Sequence, residues 1–123
     1  MHELPIIKTI YKTVIKYAKD NNAEKVINVY LEIGVLRDFV PELLKKYWNY
    51  ITEGDIAEGS NLLIREIPAV ARCKKCKTEY QIDLNDIVNS NCPKCGCDTG
   101  ELIKGRELYI YGIQINEKEN NNE

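Results

Sequence analysis

Histidine is the scarcest chemical resource in this sequence: one imidazole, His2, in 123 residues. A second histidine, a nucleotide-binding glycine loop and a paired-carboxylate motif are all missing. No catalytic constellation can be assembled from what is left, and an enzyme is not expected. Net charge is also lacking, since 17 basic residues against 19 acidic ones leave −2. That balance argues against the basic footprint that drives nucleic-acid binding. No stretch reaches the roughly 18–20 apolar residues of a membrane span, and no basic segment followed by an apolar run marks a leader. A soluble, cytoplasmic protein without a membrane partner is therefore expected. Composition is otherwise ordinary, with 44% hydrophobic and 29% charged residues, so a folded chain is expected. Cysteine is what the chain does have. Five of them, an odd number, argue against a secreted disulfide framework and for a metal.

Hydrophobic periodicity supplies the frame. Ile7, Ile10, Tyr11, Val14, Ile15 and Ala18 recur at helical spacing between Leu4 and Asp20, with Lys8, Lys12, Lys16 and Lys19 on another face. Pro5 suits the first turn, and Asn21-Asn22 ends the helix. Ile27, Val29, Leu31 and Ile33 alternate through Lys25–Ile33, which predicts a half-buried strand closed by Gly34. Pro41 opens a second helix to about Thr52, striped by Leu43, Leu44, Tyr47 and Ile51, and Gly54 follows it. Leu62–Val70 and Glu107–Ile115 read as two further strands. Two strands are marginal alone, so the last is expected to return to the first two. The expectation is an α+β fold: a small three-stranded sheet with two helices, and a four-cysteine zinc-ribbon lobe inserted in it. The expected division is a discontinuous α+β domain of residues 1–70 and 101–116, a zinc domain of residues 71–100, and a polar tail of residues 117–123.

Cys73-Lys-Lys-Cys76 and Cys92-Pro-Lys-Cys95 stand 15 residues apart. Two residues between cysteines let a tight turn aim both sulfurs at one ion, and two such turns complete a tetrahedron of thiolates. Zinc is the expected occupant, with iron as competitor. Four thiolates close the shell, which predicts a structural rather than a catalytic site. Cys97 is left over, either a partly buried side chain or a stand-in ligand.

The N-terminus holds a second constellation. The Met1 amine, the His2 amide nitrogen and the His2 imidazole can close two adjacent chelate rings, the tetragonal arrangement that Ni(II) and Cu(II) favour. Glu3 stands next in line with an oxygen or its own backbone nitrogen.

Together these features resemble the hydrogenase nickel-insertion accessory family, HypA/HybF, in an archaeal-like form. The likeness rests on Met1-His2-Glu3, on Ile33-Gly34, and on Thr-Glu-Gly-Asp-Ile-Ala-Glu-Gly at 52–59. It rests further on the paired Cys-x-x-Cys turns and on Lys-Gly-Arg-Glu-Leu-Tyr-Ile-Tyr-Gly-Ile at 104–113. The resemblance implies a nickel metallochaperone that carries Ni2+ as cargo, with Met1, His2 and Glu3 at the nickel anchor. Zn2+ is implied at Cys73, Cys76, Cys92 and Cys95. It also implies a HypB-like GTPase and the large subunit of [NiFe]-hydrogenase as partners, for a monomer or weak homodimer. Relatives often carry a glutamate before the second helix, where this chain has Val40-Pro41, with Asp38 nearby. Some archaeal relatives place a histidine in a longer loop between the turns, where this chain has none. The fourth nickel donor is thus open among the Glu3 amide, the Glu3 or Asp38 carboxylate, water and Cys97. Two other readings compete. One is a zinc-ribbon nucleic-acid binder using Lys74, Lys75, Lys77 and Tyr80; the other is a rubredoxin-like iron carrier.

Overall fold

In a computed structural model the described residues run from 3 to 118; Met1, His2 and 119–123 lie outside them. Helix α1 (Glu3–Asp20) leads to strand β1 (Ala23–Gly34) and helix α2 (Pro41–Ile51). Strands β2 (Asn61–Ile67), β3 (Val70–Cys73), β4 (Glu79–Gln81), β5 (Gly100–Lys104) and β6 (Leu108–Glu117) follow. They form two three-stranded sheets, ordered β2-β1-β6 and β4-β3-β5. The expected three-stranded sheet with its returning last strand is thus present, and the cysteine segment is inserted between β2 and β6.

The chain divides into two compact units. One holds the residues up to Leu31, Asp38–Arg65 and the chain from Tyr109 onward; the other holds Glu32–Arg37 and Glu66–Leu108. The cysteine-bearing unit is therefore wider than residues 71–100, because β3 begins at Val70 and pairs along its length with β5, Val70 standing against Lys104.

In the first unit, α1 buries Glu3, Ile6, Ile7, Ile10, Val14 and Ala18, a stripe at the 3–4 residue spacing of one helix face. Val29 and Leu31 of β1 are fully buried, as the alternation predicts. The stripe of α2 is centred differently from expectation: Leu44 and Trp48 are its buried residues. Trp48 was not read as core, yet it organises the segment after α2. Its indole N–H donates to the Ser60 hydroxyl at 2.8 Å, and the Ser60 hydroxyl donates to the Ala57 carbonyl at 2.5 Å. The Thr52 hydroxyl donates to the Trp48 carbonyl, and the Tyr11 ring meets Trp48 edge-on at 6.2 Å. Asp55 accepts from the Tyr11 hydroxyl and from the Ala57 N–H. The 52–59 motif is thus a loop that folds back on the indole, with Gly54 and Gly59 at positive φ to make its turns.

In the second unit, Gly34 is more than a strand terminator. A Cβ there would collide with the backbone of Gly105 and Arg106, and the Gly34 N–H donates to the Glu107 carbonyl at 2.8 Å. The strand expected over Leu62–Val70 is broken at Pro68-Ala69 into β2 and β3, since proline has no N–H to give a ladder.

Removing the Ser60 hydroxyl leaves the buried Trp48 N–H unpaired. Ser60→Ala is expected to lower unfolding free energy by about 1–3 kcal/mol, read by urea denaturation followed by tryptophan fluorescence. A loss near zero would show that the indole N–H finds another partner.

Candidate metal centre

The two Cys-x-x-Cys turns are built alike. In the first, the Cys73 N–H donates to the Thr78 carbonyl at 2.9 Å and the Lys77 N–H to the Cys73 carbonyl at 3.0 Å. In the second, the Cys92 N–H donates to the Cys97 carbonyl at 3.0 Å and the Gly96 N–H to the Cys92 carbonyl at 2.8 Å. The residue after each second cysteine has positive φ, 65° for Lys77 and 76° for Gly96. Such a turn exposes N–H groups to sulfur, and the Lys75 and Cys76 N–H groups point at the Cys73 Sγ at 3.4 and 3.5 Å.

All four Sγ atoms lie within 4.8 Å of one another, and the Cys73–Cys95 and Cys76–Cys92 pairs are at 3.5 Å. A tetrahedral ion with metal–sulfur bonds of about 2.3 Å sets its sulfurs about 3.8 Å apart, so the cluster is sized for zinc. Without a cation the four sulfurs cannot all ionise together. Cys76 is drawn down to about 6 by the Thr78 hydroxyl and N–H. The Cys97 N–H acts most strongly on Cys95 and favours its thiolate. The Cys73, Cys76 and Cys92 sulfurs and desolvation outweigh it and push Cys95 up to about 12. A divalent cation removes that conflict by screening each thiolate from the rest.

β3, β4 and β5 hold the turns in place. Cys73 closes β3 opposite Gly100, and Lys74 N–H donates to the Thr99 carbonyl. Tyr80 is buried against Ala71, Cys73 and Cys92, and its hydroxyl occupies the space that a side chain at Gly100 would fill. The exposed aromatic that a nucleic-acid surface would need alongside Lys74, Lys75 and Lys77 is thus a core residue. Cys97 stands outside the four-sulfur cluster, half-buried against it, with its thiol directed toward the Thr99 carbonyl at 3.7 Å.

Of the three N-terminal residues, Met1 and His2 lie outside the described residues. Glu3 is the first residue of α1 and is only 2% exposed; its Oε2 accepts from the Val40 N–H at 2.9 Å. Its carboxylate is therefore spent inside the fold, at the start of α2, where negative charge is favoured. The sequence alone left both an oxygen and the backbone nitrogen of Glu3 open as donors. The signal was available, because Glu3 stands four and seven residues before Ile7 and Ile10 on the buried stripe. Asp38 is exposed with φ 51°, two residues from that contact.

Residues 1–115 match the model of the family described as hydrogenase/urease nickel incorporation, metallochaperone, hypA. The chain belongs to the HypA family. Relatives include the hydrogenase maturation factor HypA of Methanocella arvoryzae, 36% identical over 94% of this chain and 98% of that protein. HypA of Pyrococcus horikoshii is 32% identical over 97% and 98% respectively. The solution structure of the Ni metallochaperone HypA from Helicobacter pylori superposes with a TM-score of 0.64 at 20% identity, over 96% of this chain and all of that one. A second HypA solution structure gives 0.69, also at 20% identity, over 96% of this chain and 98% of that one. The chain is accordingly a nickel metallochaperone of hydrogenase maturation with a four-cysteine zinc site. Among the described residues no helix is long and apolar enough to cross a membrane.

Stripping zinc with a strong chelator is expected to abolish the hydrogen-exchange protection of β3, β4 and β5, while protection of α1 and α2 persists. Cys92→Ser, at a buried ligand, should do the same without chelator. Unchanged exchange in β3–β5 after verified zinc loss would count against a structural role.

Proposed function

We propose that this HypA-family chain captures Ni(II) with nitrogen donors at its N-terminus: the Met1 amine, the His2 amide and imidazole, and the Glu3 backbone nitrogen. It then passes the ion by ligand exchange to the large subunit of [NiFe]-hydrogenase, with a HypB-like GTPase as helper, in the cytoplasm. It catalyses no reaction of its own. Nickel capture belongs to the unit that holds α1 and Glu3, whereas Cys73, Cys76, Cys92 and Cys95 of the other unit keep a resident zinc ion.

The observation that carries this reading is the burial of the Glu3 side chain. Because the carboxylate serves Val40, Glu3 offers nickel a nitrogen rather than an oxygen. The N–H of the first helical residue has no partner within its helix, so it is free to be replaced by a bond to the ion. Four nitrogens in a plane suit Ni(II) far better than Mg(II) or Ca(II), which take oxygen. Asp38 and water remain as outer donors for transfer.

Isothermal titration with nickel on the zinc-loaded chain tests the assignment. His2→Ala, or residues added before Met1, should weaken binding about a hundredfold or more, roughly 2.7 kcal/mol. Glu3→Gln retains an acceptor for Val40 and should bind within a few-fold of the parent. A loss with Glu3→Gln equal to that with His2→Ala would make the carboxylate a ligand and overturn the nitrogen set.

A further inference from the structure

Tyr11 and Ile15 keep the helical spacing of the α1 stripe, yet each is only half-buried. They line a cavity of about 360 Å³ in the first unit, of the size that holds a small organic molecule. α1 forms one wall of it, because Tyr11, Ile15 and Lys19 stand four residues apart in one line along the helix. At 1.5 Å per residue, the two ends of that line are about 12 Å apart. Each end gathers a further charge. At the first, Asp55 accepts from the Tyr11 hydroxyl. That bond, with desolvation, raises the Tyr11 pKa above its ordinary value, so the phenol keeps its proton and Asp55 its charge. At the other end, the Asn22 carbonyl accepts from the Lys118 N–H at 3.0 Å, which brings Lys118 to the turn that follows Lys19.

These opposite charges do not meet. Asp55, Lys19 and Lys118 line one cavity, yet among the described residues neither lysine is in an ion pair. Lys16, one turn back on α1, is by contrast paired with Asp20 at 2.6 Å. Apolar walls from Ile15, Ala23 and Ile56 complete the cavity. Ile56 is fixed there because its carbonyl accepts from the Val26 N–H at 2.9 Å. Asp55 uses one oxygen for Tyr11 and the other for the Ala57 N–H, and a carboxylate oxygen can accept a second bond.

We propose that this cavity binds a small zwitterion whose ammonium and carboxylate stand at opposite ends of an unbranched apolar stem. The ammonium is held at Asp55, the carboxylate between Lys19 and Lys118, and the stem lies along Ile15 and Ile56. Two lysines alone would accept any carboxylate or phosphate. Asp55 supplies the discrimination, since it repels an anion that is negative at both ends and rewards one that ends in a cation. Length discriminates as well. An ordinary α-amino acid carries both charges on one carbon and can satisfy only one end of a line about 12 Å long.

Backbone amide shifts of the zinc-loaded full chain, titrated with ε-aminocaproate, are the test. Saturable shifts should gather at Tyr11, Ile15, Asn22 and Ile56. Caproate lacks the ammonium, hexylamine lacks the carboxylate, and norleucine is the isomer with both charges on one carbon. Each should bind about tenfold more weakly or worse, the loss of one charged contact. Lys19 and Lys118 are exposed, and glutamine at 118 keeps the backbone bond to Asn22, so the double variant Lys19→Gln with Lys118→Gln retains the fold. It should weaken ε-aminocaproate about tenfold and leave hexylamine unchanged, whereas damage to the cavity itself would weaken both. No saturation by about 10 mM ε-aminocaproate overturns the proposal. So does equal binding of caproate, hexylamine or norleucine, or a double variant that binds ε-aminocaproate as the parent does.

Discussion

Four sulfurs held within 4.8 Å of each other impose the constraint on which the cysteine-bearing unit depends. Thiolates that close repel, and thiols that close waste a donor set, so the cluster makes sense only around a cation. Cys95, pushed up by the neighbouring sulfurs and desolvation against the pull of the Cys97 N–H, expresses that conflict. Everything adjacent serves to hold the sulfurs together. Two turns with matching hydrogen bonds aim them, β3 delivers the first, and Thr99, just before β5, supplies the carbonyl that accepts from Lys74. The sheet is small: β4 is three residues and the buried cluster is Ala71, Cys73, Tyr80 and Cys92. Burial of so little apolar surface cannot offset the chain entropy of ordering Glu66–Leu108, and metal ligation contributes the difference.

The first unit solves a different problem with side-chain hydrogen bonds. Trp48 brings a large apolar ring and one N–H that must be paired once buried. Ser60 meets it, Ala57 meets Ser60, and Asp55 fixes Ala57 and Tyr11, so the 52–59 loop is specified by a chain of polar contacts around one indole. Such a network is cooperative, and its members depend on one another more than pairwise energies suggest. At the other end of α2, Glu3 links the start of α1 to Val40. The N-terminal residues thereby enter the fold through a buried carboxylate, which fixes where the chain begins its first turn.

Much of this was legible in sequence, and the exceptions have reasons. Helical period fixed α1 and α2 to within a residue or two, and alternation fixed β1, because those elements bury one face over many turns or pleats. β3, β4 and β5 escaped because three to five residues carry too little period to see, and their pairing is imposed by the cysteines rather than by an apolar stripe. Pro68 was a visible sign that one strand could not run from Leu62 to Val70. Trp48 was passed over because its neighbours Leu44 and Tyr47 already made a stripe. Glu3 was left open between an oxygen and its backbone nitrogen, whereas its position on the α1 stripe decides where the carboxylate lies. The four ligands were readable because spacing alone encodes them, and Cys97 fell outside the set because the turn needs its backbone carbonyl more than its thiol.

The four-cysteine site and the nickel site proposed above call for opposite properties. A resident ion is best held by four soft anions in a closed shell, since closing the shell removes the path by which a competing ligand could attack. Cargo needs a shell that an acceptor can enter one bond at a time. In the proposed nickel set, a terminal amine, a single imidazole and backbone nitrogens are donors that an incoming ligand replaces one at a time. The inward-turned Glu3 carboxylate anchors the start of α1 to the residue before α2, and under the proposed nitrogen set that same contact keeps its oxygens from the cargo. On that proposal, selectivity for nickel over oxygen-seeking cations follows as much from the oxygen donor held away as from the nitrogens offered.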